Sequence, residues 1–146
     1  MRRTPTPSAT KPFVLPYTVT EDDIDAQGRA NNVAYIQWMN VAAIAHSHAL
    51  GFDHQRFVAL GAMFVVRRHE IDYRLPAFAG DVLELKTWPT LMRAATAHRA
   101  HEMVRQSDGA VIARGLNVWG YVAIDTGRPL RMPPEVLEAF DPAKFA

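Results

Sequence analysis

The chain has 146 residues, a formal net charge of +1, 49% apolar and 21% charged residues, and no cysteine. This composition is typical of a globular protein and excludes a disordered chain, while the lack of cysteine excludes disulfides and thiolate metal sites. A net charge near zero with scattered basic residues argues against a nucleic-acid partner. No apolar run approaches the ~20 residues that cross a bilayer, so we expect a soluble protein with no membrane partner, in the reducing cytoplasm.

The length suits one domain with a sizeable core. Residues 1–12, MRRTPTPSATKP, lack the apolar stretch of a signal peptide, so we predict a flexible leader followed by a single domain at residues 13–146. Residues 13–20 are apolar around Pro16, which indicates a short or edge strand, and the polar residues 21–31 predict a loop.

One long helix is predicted at residues 33–50, where apolar residues recur at helical spacing. Asn31 or Asn32 suits its N-cap, and Gly51 suits its end. At 1.5 Å per residue the helix would be on the order of 28 Å long, enough to lie across a whole sheet. A second, shorter helix is predicted at residues 53–60, and a third, entered through proline, at residues 133–140.

The second half is rich in β-branched and aromatic residues, and its short breaks favour antiparallel neighbours. In its last strand Ile112 and Ala113 are expected on opposite faces. Both faces are apolar, so we expect the helix to cover one and a partner subunit the other. One strand, a long helix and four antiparallel strands predict an α+β hotdog arrangement, with a sheet of about five strands around one central helix. The four strands are predicted at residues 63–74, 82–91, 96–105 and 110–124.

The loop before the long helix carries two carboxylates, Asp23 and Asp25. A helix start exposes unpaired N–H groups and a partial positive charge, so it can hold an anion or a developing oxyanion. A carboxylate beside that end could act on a carbonyl. From the residues alone, the commoner interpretation of Asp25 is an Asx turn or a helix cap, and Asp23 is expected to shape the loop or to be solvated.

Two segments of the chain carry a resemblance to a known family. The pattern D-x-D-x-x-G-x-x-N-N-x-x-Y is followed by the segment VVRRHEIDYRLPAFAGD at residues 65–81. In this order, with the long helix between them, they resemble the hotdog-fold acyl-CoA thioesterases of the 4-hydroxybenzoyl-CoA thioesterase type. The residues that match the first pattern are Asp23, Asp25, Gly28, Asn31, Asn32 and Tyr35.

The resemblance implies hydrolysis of an acyl-CoA by Asp25, as nucleophile or general base, with no metal or redox cofactor. It implies an oxyanion hole at the backbone N–H of Asn32, and an active site at the interface of a homodimer that often pairs into a tetramer. Many relatives place histidine where this chain has Arg29, so a role for that histidine is not carried over. The residues expected around the substrate are Gly28, Asn31 and Tyr35, with Arg93, Arg128 and Arg131 at the CoA phosphates.

Other functions remain open from the sequence. A hotdog hydratase would need a His–Asp pair in the loop before the helix, and no histidine precedes His46, which argues against it. A non-catalytic acyl-CoA binding module and a thioesterase acting on acyl carrier protein remain alternatives. Metal binding is not expected, because His46 and His48 face apart on a helix and no HExxH pattern occurs. The lone histidines predicted on strands, at positions 69, 98 and 101, are expected to be structural, with a cavity-lining role as the alternative for His69.

Overall fold

A five-stranded antiparallel sheet packs against one long helix in the computed structural model, which describes residues 9–146. The first eight residues of the expected leader lie outside the described residues. The predicted elements are present, with boundaries that move by one or two residues at most ends. The elements are β1 (Phe13–Thr18), α1 (Asn32–Ala49), α2 (His54–Leu60), β2 (Ala62–Tyr73), β3 (Val82–Arg93), β4 (Thr96–Arg105), β5 (Val111–Ala123) and α3 (Pro134–Ala139).

The strand order in the sheet is β1-β3-β4-β5-β2. The expectation that short breaks join neighbouring strands holds for β3, β4 and β5 but is wrong for β2 and β3, because β2 pairs with β5 instead. Both sides of β3 are already occupied, by β1 and by β4. The link from β2 to β3 packs at the start of α1, where Ala77 is buried and its carbonyl accepts a hydrogen bond of 2.8 Å from the Ala30 N–H.

Helix α1 buries one face against the sheet. Asn31 is its N-cap, and the chain leaves the helix through Gly51, whose φ of 88° favours glycine. Helix and sheet approach closely at Gly115 of β5, where an added Cβ would lie 2.5 Å from the Met39 sulfur. The buried face of α1 has helical spacing and consists of Ala34, Tyr35, Trp38, Met39, Ala42, Ala43 and His46. It differs from the apolar positions on which the helix was predicted, because two of them, Val33 and Ile44, are exposed.

Strand β5 departs from simple alternation. The pairing with β4 shifts between Met103, opposite Ala113, and Val104, opposite Val111. Ile112 is therefore an extra residue in a β-bulge. The expectation that Ile112 and Ala113 lie on opposite faces is wrong, because both are fully buried in the core cluster beneath α1.

A second apolar cluster closes the far end of the sheet. It joins Phe52, Tyr121 and Phe140 from the segments around α2, β5 and α3. The last residues of the expected leader run beside the end of the described chain, with the Lys11 N–H 3.2 Å from the Phe145 carbonyl. None of the helices within residues 9–146 combines the length and apolar character needed to cross a bilayer.

Candidate active site

The two carboxylates of the loop before α1 have different surroundings. Asp23 is buried, and its Oδ2 accepts hydrogen bonds from the Tyr17 hydroxyl at 2.7 Å, the Thr20 N–H at 3.0 Å and the Thr20 hydroxyl at 3.3 Å. Its carbonyl accepts from the Asn31 N–H at 2.8 Å. Asp23 therefore ties the end of β1 to the start of the helix, in the loop-shaping role expected of it.

Asp25 lies at the exposed end of the loop. Its Oδ1 accepts a hydrogen bond of 2.8 Å from the Gln27 N–H, which is an Asx turn. The turn closes through Gly28, whose φ is 82° and whose N–H donates to the Asp25 carbonyl at 3.0 Å. Within residues 9–146 the second carboxylate oxygen, Oδ2, receives no hydrogen bond. The turn thus orients Asp25 and leaves one oxygen open to solvent.

The start of α1 offers a donor beside this carboxylate. The Asn31 side chain caps the helix by accepting from the Ala34 N–H at 2.8 Å. The Asn32 N–H has no acceptor in the part of the chain that the structure describes, as expected for the first residues of a helix. The Asn32 carbonyl accepts a hydrogen bond of 3.1 Å from the Tyr73 hydroxyl, so β2 fixes the position of the helix start.

Asp25, Asn31 and Asn32 line one open surface depression of about 480 Å³. Arg29, the departure from the family pattern, lines it too and adds a positive charge at the same place. Gly28 shapes the turn below it. Tyr35 is buried and packs against the rings of Trp38 and Tyr73, so in the single chain it supports the helix start and does not line the depression.

The three arginines expected at the CoA phosphates lie at the other end of the sheet. Arg93 ends β3, and the segment holding Arg128 and Arg131 is tied to β5 and to the β3–β4 turn through backbone hydrogen bonds of 2.9 Å (Ala123 to Arg128) and 2.8 Å (Met132 to Ala94). All three are exposed. The structure therefore brings the arginines near one another, but a single chain does not bring them to Asp25.

A buried polar network lies under α1 and was not predicted from the sequence. The Arg99 Nη1 donates to His46 Nδ1 at 3.0 Å and to the Thr87 hydroxyl at 3.1 Å, and all three residues are buried. Burial, aided by the charge of Arg99, lowers the pKa of His46 to about 3, so His46 is neutral and accepts. Burial lowers the pKa of Arg99 itself to about 10, which leaves it charged at neutral pH.

Beside this network, His101 hydrogen-bonds to Asn117, which also contacts His69 Nδ1 at 2.8 Å. Burial and the charge of Arg99 lower the pKa of His101 to about 3. The sequence of β4 contained a signal for this burial. Arg99 and His101 lie at every second residue between the buried Ala97 and Met103, and therefore share the helix-facing side of the strand with them. The period of two places them inside, although their polarity suggests the surface.

Comparison with known proteins agrees with this architecture. The model of the thioesterase-like superfamily matches residues 19–140. A relative, acyl-CoA thioester hydrolase YbgC of Escherichia coli, is 30% identical over 136 residues, which cover 91% of this chain and 95% of the relative.

Solved structures share the fold at low sequence identity. A 1,4-dihydroxy-2-naphthoyl-CoA thioesterase from Synechocystis has a TM-score of 0.83 and 18% identity, covering 92% of this chain and 99% of its own. A DHNA-CoA thioesterase from Staphylococcus aureus has a TM-score of 0.84 and 19% identity, covering 92% of each chain. The family resemblance and the hotdog fold are confirmed, and the chain belongs to the thioesterase-like superfamily as a thioester hydrolase.

Proposed function

We propose that the protein hydrolyses an acyl-CoA thioester at the depression formed by Asp25 and the start of α1. One observation carries the proposal: Asp25 Oδ2 and the Asn32 N–H line the same concave surface, and neither has a hydrogen-bond partner within residues 9–146. Thioester hydrolysis requires a group that attacks or activates water and a donor at the oxygen where charge develops. The name of the relative YbgC supports CoA as the thiol carrier.

Asp25 acts either on water or on the thioester directly. As general base, its Oδ2 takes a proton from water, and the water oxygen attacks the carbonyl carbon. The carbonyl oxygen becomes an oxyanion, which the Asn32 N–H and the positive end of the α1 dipole stabilise. The C–S bond then breaks, and the proton held by Asp25 passes to the CoA thiolate. As nucleophile, Asp25 attacks the carbonyl carbon, and the C–S bond breaks as the CoA thiolate leaves, which gives a mixed anhydride. Water then adds to the acyl carbon and the anhydride C–O bond breaks, which releases the free acid and regenerates the Asp25 carboxylate, while a proton from the water passes to the thiolate.

We propose that a homodimer completes the site. Strand β2 pairs with β5 on one side only and forms an edge of the sheet. Antiparallel pairing of β2 with its copy would place the Tyr73 end of one chain, next to Asn32, beside the Ala62 end of the other. Ala62 pairs with Ala123, at the end of the sheet that carries the three exposed arginines. A second copy would thus bring its arginines toward the CoA phosphates.

An Asp25→Asn variant tests the assignment of the carboxylate. It keeps size and shape but removes the charge, so hydrolysis should fall at least about a hundredfold, the range of a lost general base. The measurement is thiol release from short, long and aromatic acyl-CoAs. Asp22→Asn is the matched control, because Asp22 is exposed on the same loop and does not line the depression.

The results of this panel separate the alternatives. Near-wild-type hydrolysis by Asp25→Asn would show that another group does the chemistry. Release from acylated carrier protein but not from acyl-CoA would identify the carrier protein as substrate. Acyl-CoA binding by the wild type without release from any thioester would identify a binding module instead.

A further inference from the structure

A cavity of about 340 Å³ lies under the second half of α1, away from the depression at Asn32. The first α1 residue in its wall is Ala43, roughly 16 Å along the helix axis from Asn32 at 1.5 Å per residue. Most of the wall is apolar and includes Phe57, Phe64 and Trp119. The cavity is therefore a separate apolar space, of a size that binds small molecules.

Arg99 brings a charge to this apolar wall. Its side chain is only 7% exposed, and it lines the cavity. Nη1 is engaged by His46 and Thr87, whereas Nε and Nη2 have no acceptor within residues 9–146. Neither of these two atoms is among the fully enclosed polar atoms without a partner, so both reach open space. Because Arg99 lines the cavity, we infer that these two donors face it.

Within residues 9–146 no carboxylate neutralises this cation. His46 is neutral and Thr87 is uncharged, and among the described residues no carboxylate forms a salt bridge with Arg99. The residues that line the cavity include three histidines, His48, His54 and His98, but no aspartate or glutamate. A buried charge of this kind is unfavourable without a counter-ion.

We propose that the cavity binds a small organic acid whose carboxylate contacts Arg99 and whose apolar body fills the surrounding space. The fork of guanidinium donors fits a carboxylate with two hydrogen bonds. Since a water molecule occupies about 30 Å³ of liquid, the cavity suits an acid of roughly eight to twelve non-hydrogen atoms. The carboxylate belongs either to a free acid or, in the proposed homodimer, to the far end of an acyl group whose thioester lies at the depression of the second copy. The homodimer is needed because an eight-carbon acyl group is shorter than the roughly 16 Å between the cavity and the depression of one chain. The second source rests on the proposed thioesterase function, and the first does not.

Calorimetric titration with octanoate and with octanamide tests the proposal. The two ligands share the apolar body, so a contact with Arg99 should make the acid bind at least about tenfold more tightly to the wild type. Arg99→Met should abolish that preference and leave octanamide affinity within about twofold. Arg68→Met is the control, because Arg68 is exposed on β2 and does not line the cavity. Equal affinity of the wild type for acid and amide would overturn the proposal, as would a tenfold acid preference in Arg99→Met.

Two further measurements keep the proposal testable if Arg99→Met does not fold. The acid and amide comparison on the wild type needs no variant. Ile44→Trp changes an exposed residue at the margin of the cavity and should weaken both ligands. Unchanged binding of both to Ile44→Trp would place the ligand elsewhere and refute the site.

Hydrolysis of octanedioyl-CoA and octanoyl-CoA distinguishes the two sources of the carboxylate. If the acyl group supplies it, the wild type should favour octanedioyl-CoA by about tenfold in kcat/KM, and Arg99→Met should lose that preference. If a free acid supplies it, octanoate binds but the two thioesters react equally. If the wild type hydrolysed neither these thioesters nor those of the earlier panel, the proposed function would be refuted. The octanoate titration would still show whether the cavity binds an acid.

Discussion

Lowering the pH from 7 to 5 should destabilise the folded protein through two buried histidines. His46 and His101 each have a pKa of about 3 in the folded state, against an ordinary value of 6.5. Between these values the unfolded chain binds more protons than the folded one, so stability rises with pH and is lost as the pH falls below 6.5. At pH 5 the loss is about 2 kcal/mol for each histidine and about 4 kcal/mol for both.

Urea unfolding at pH 7, 6 and 5, at one fixed protein concentration, measures this loss. The variants His46→Gln and His101→Gln keep a hydrogen-bonding group in place, and each should remove about half of the pH dependence. His48→Gln is the control, because His48 is an exposed residue of the same helix. A free energy of unfolding that is equal at pH 5 and 7, or a pH dependence that His48→Gln halves, would refute this reasoning.

Two further variants test the loop and the helix start. Asp23→Ala removes the acceptor of three hydrogen bonds, from the Tyr17 hydroxyl and from Thr20, and should lower the free energy of unfolding by about 2 to 4 kcal/mol. A loss below about 1 kcal/mol in urea unfolding would mean that these bonds do not hold the loop. Tyr73→Phe removes the hydroxyl that contacts the Asn32 carbonyl and should lower kcat about three- to tenfold, with KM nearly unchanged, because the oxyanion donor moves. A change confined to KM in steady-state kinetics would contradict that explanation.

Local patterns in the sequence predicted most of the secondary structure. The helix expected at residues 33–50 is observed as Asn32–Ala49, and the strand expected at residues 96–105 is Thr96–Arg105. These elements follow from periodicity and from the residues that end them. The pairing of β2 with β5 could not be predicted in this way, because it depends on which strands occupy both sides of β3. Nor does any local signal reveal the bulge that turns Ile112 inward.

The juxtaposition of Asp25 and Asn32 was predictable because only six residues separate them in the chain, in a loop that the buried Asp23 ties to the start of the helix. The inward position of Arg99 was missed: the period of two in β4 places it inside, but a charged residue on a strand is normally exposed. Its burial depends on Thr87 and His46, which come from β3 and α1 and are distant in the chain. Such a network is visible only after the helix has been placed on the sheet.

The two edge strands of the sheet differ in their capacity to pair with a strand of another chain. Strand β1 has six residues and contains Pro16, which has no N–H to offer another strand, whereas β2 has twelve residues and no proline. In an assembly that pairs the β2 strands of two copies, both long edges are hydrogen-bonded to each other. The two remaining edges of the joined sheet are the proline-containing β1 strands. In that assembly the sheet would end at ten strands, and the β1 edges left outward would not extend it into a fibre.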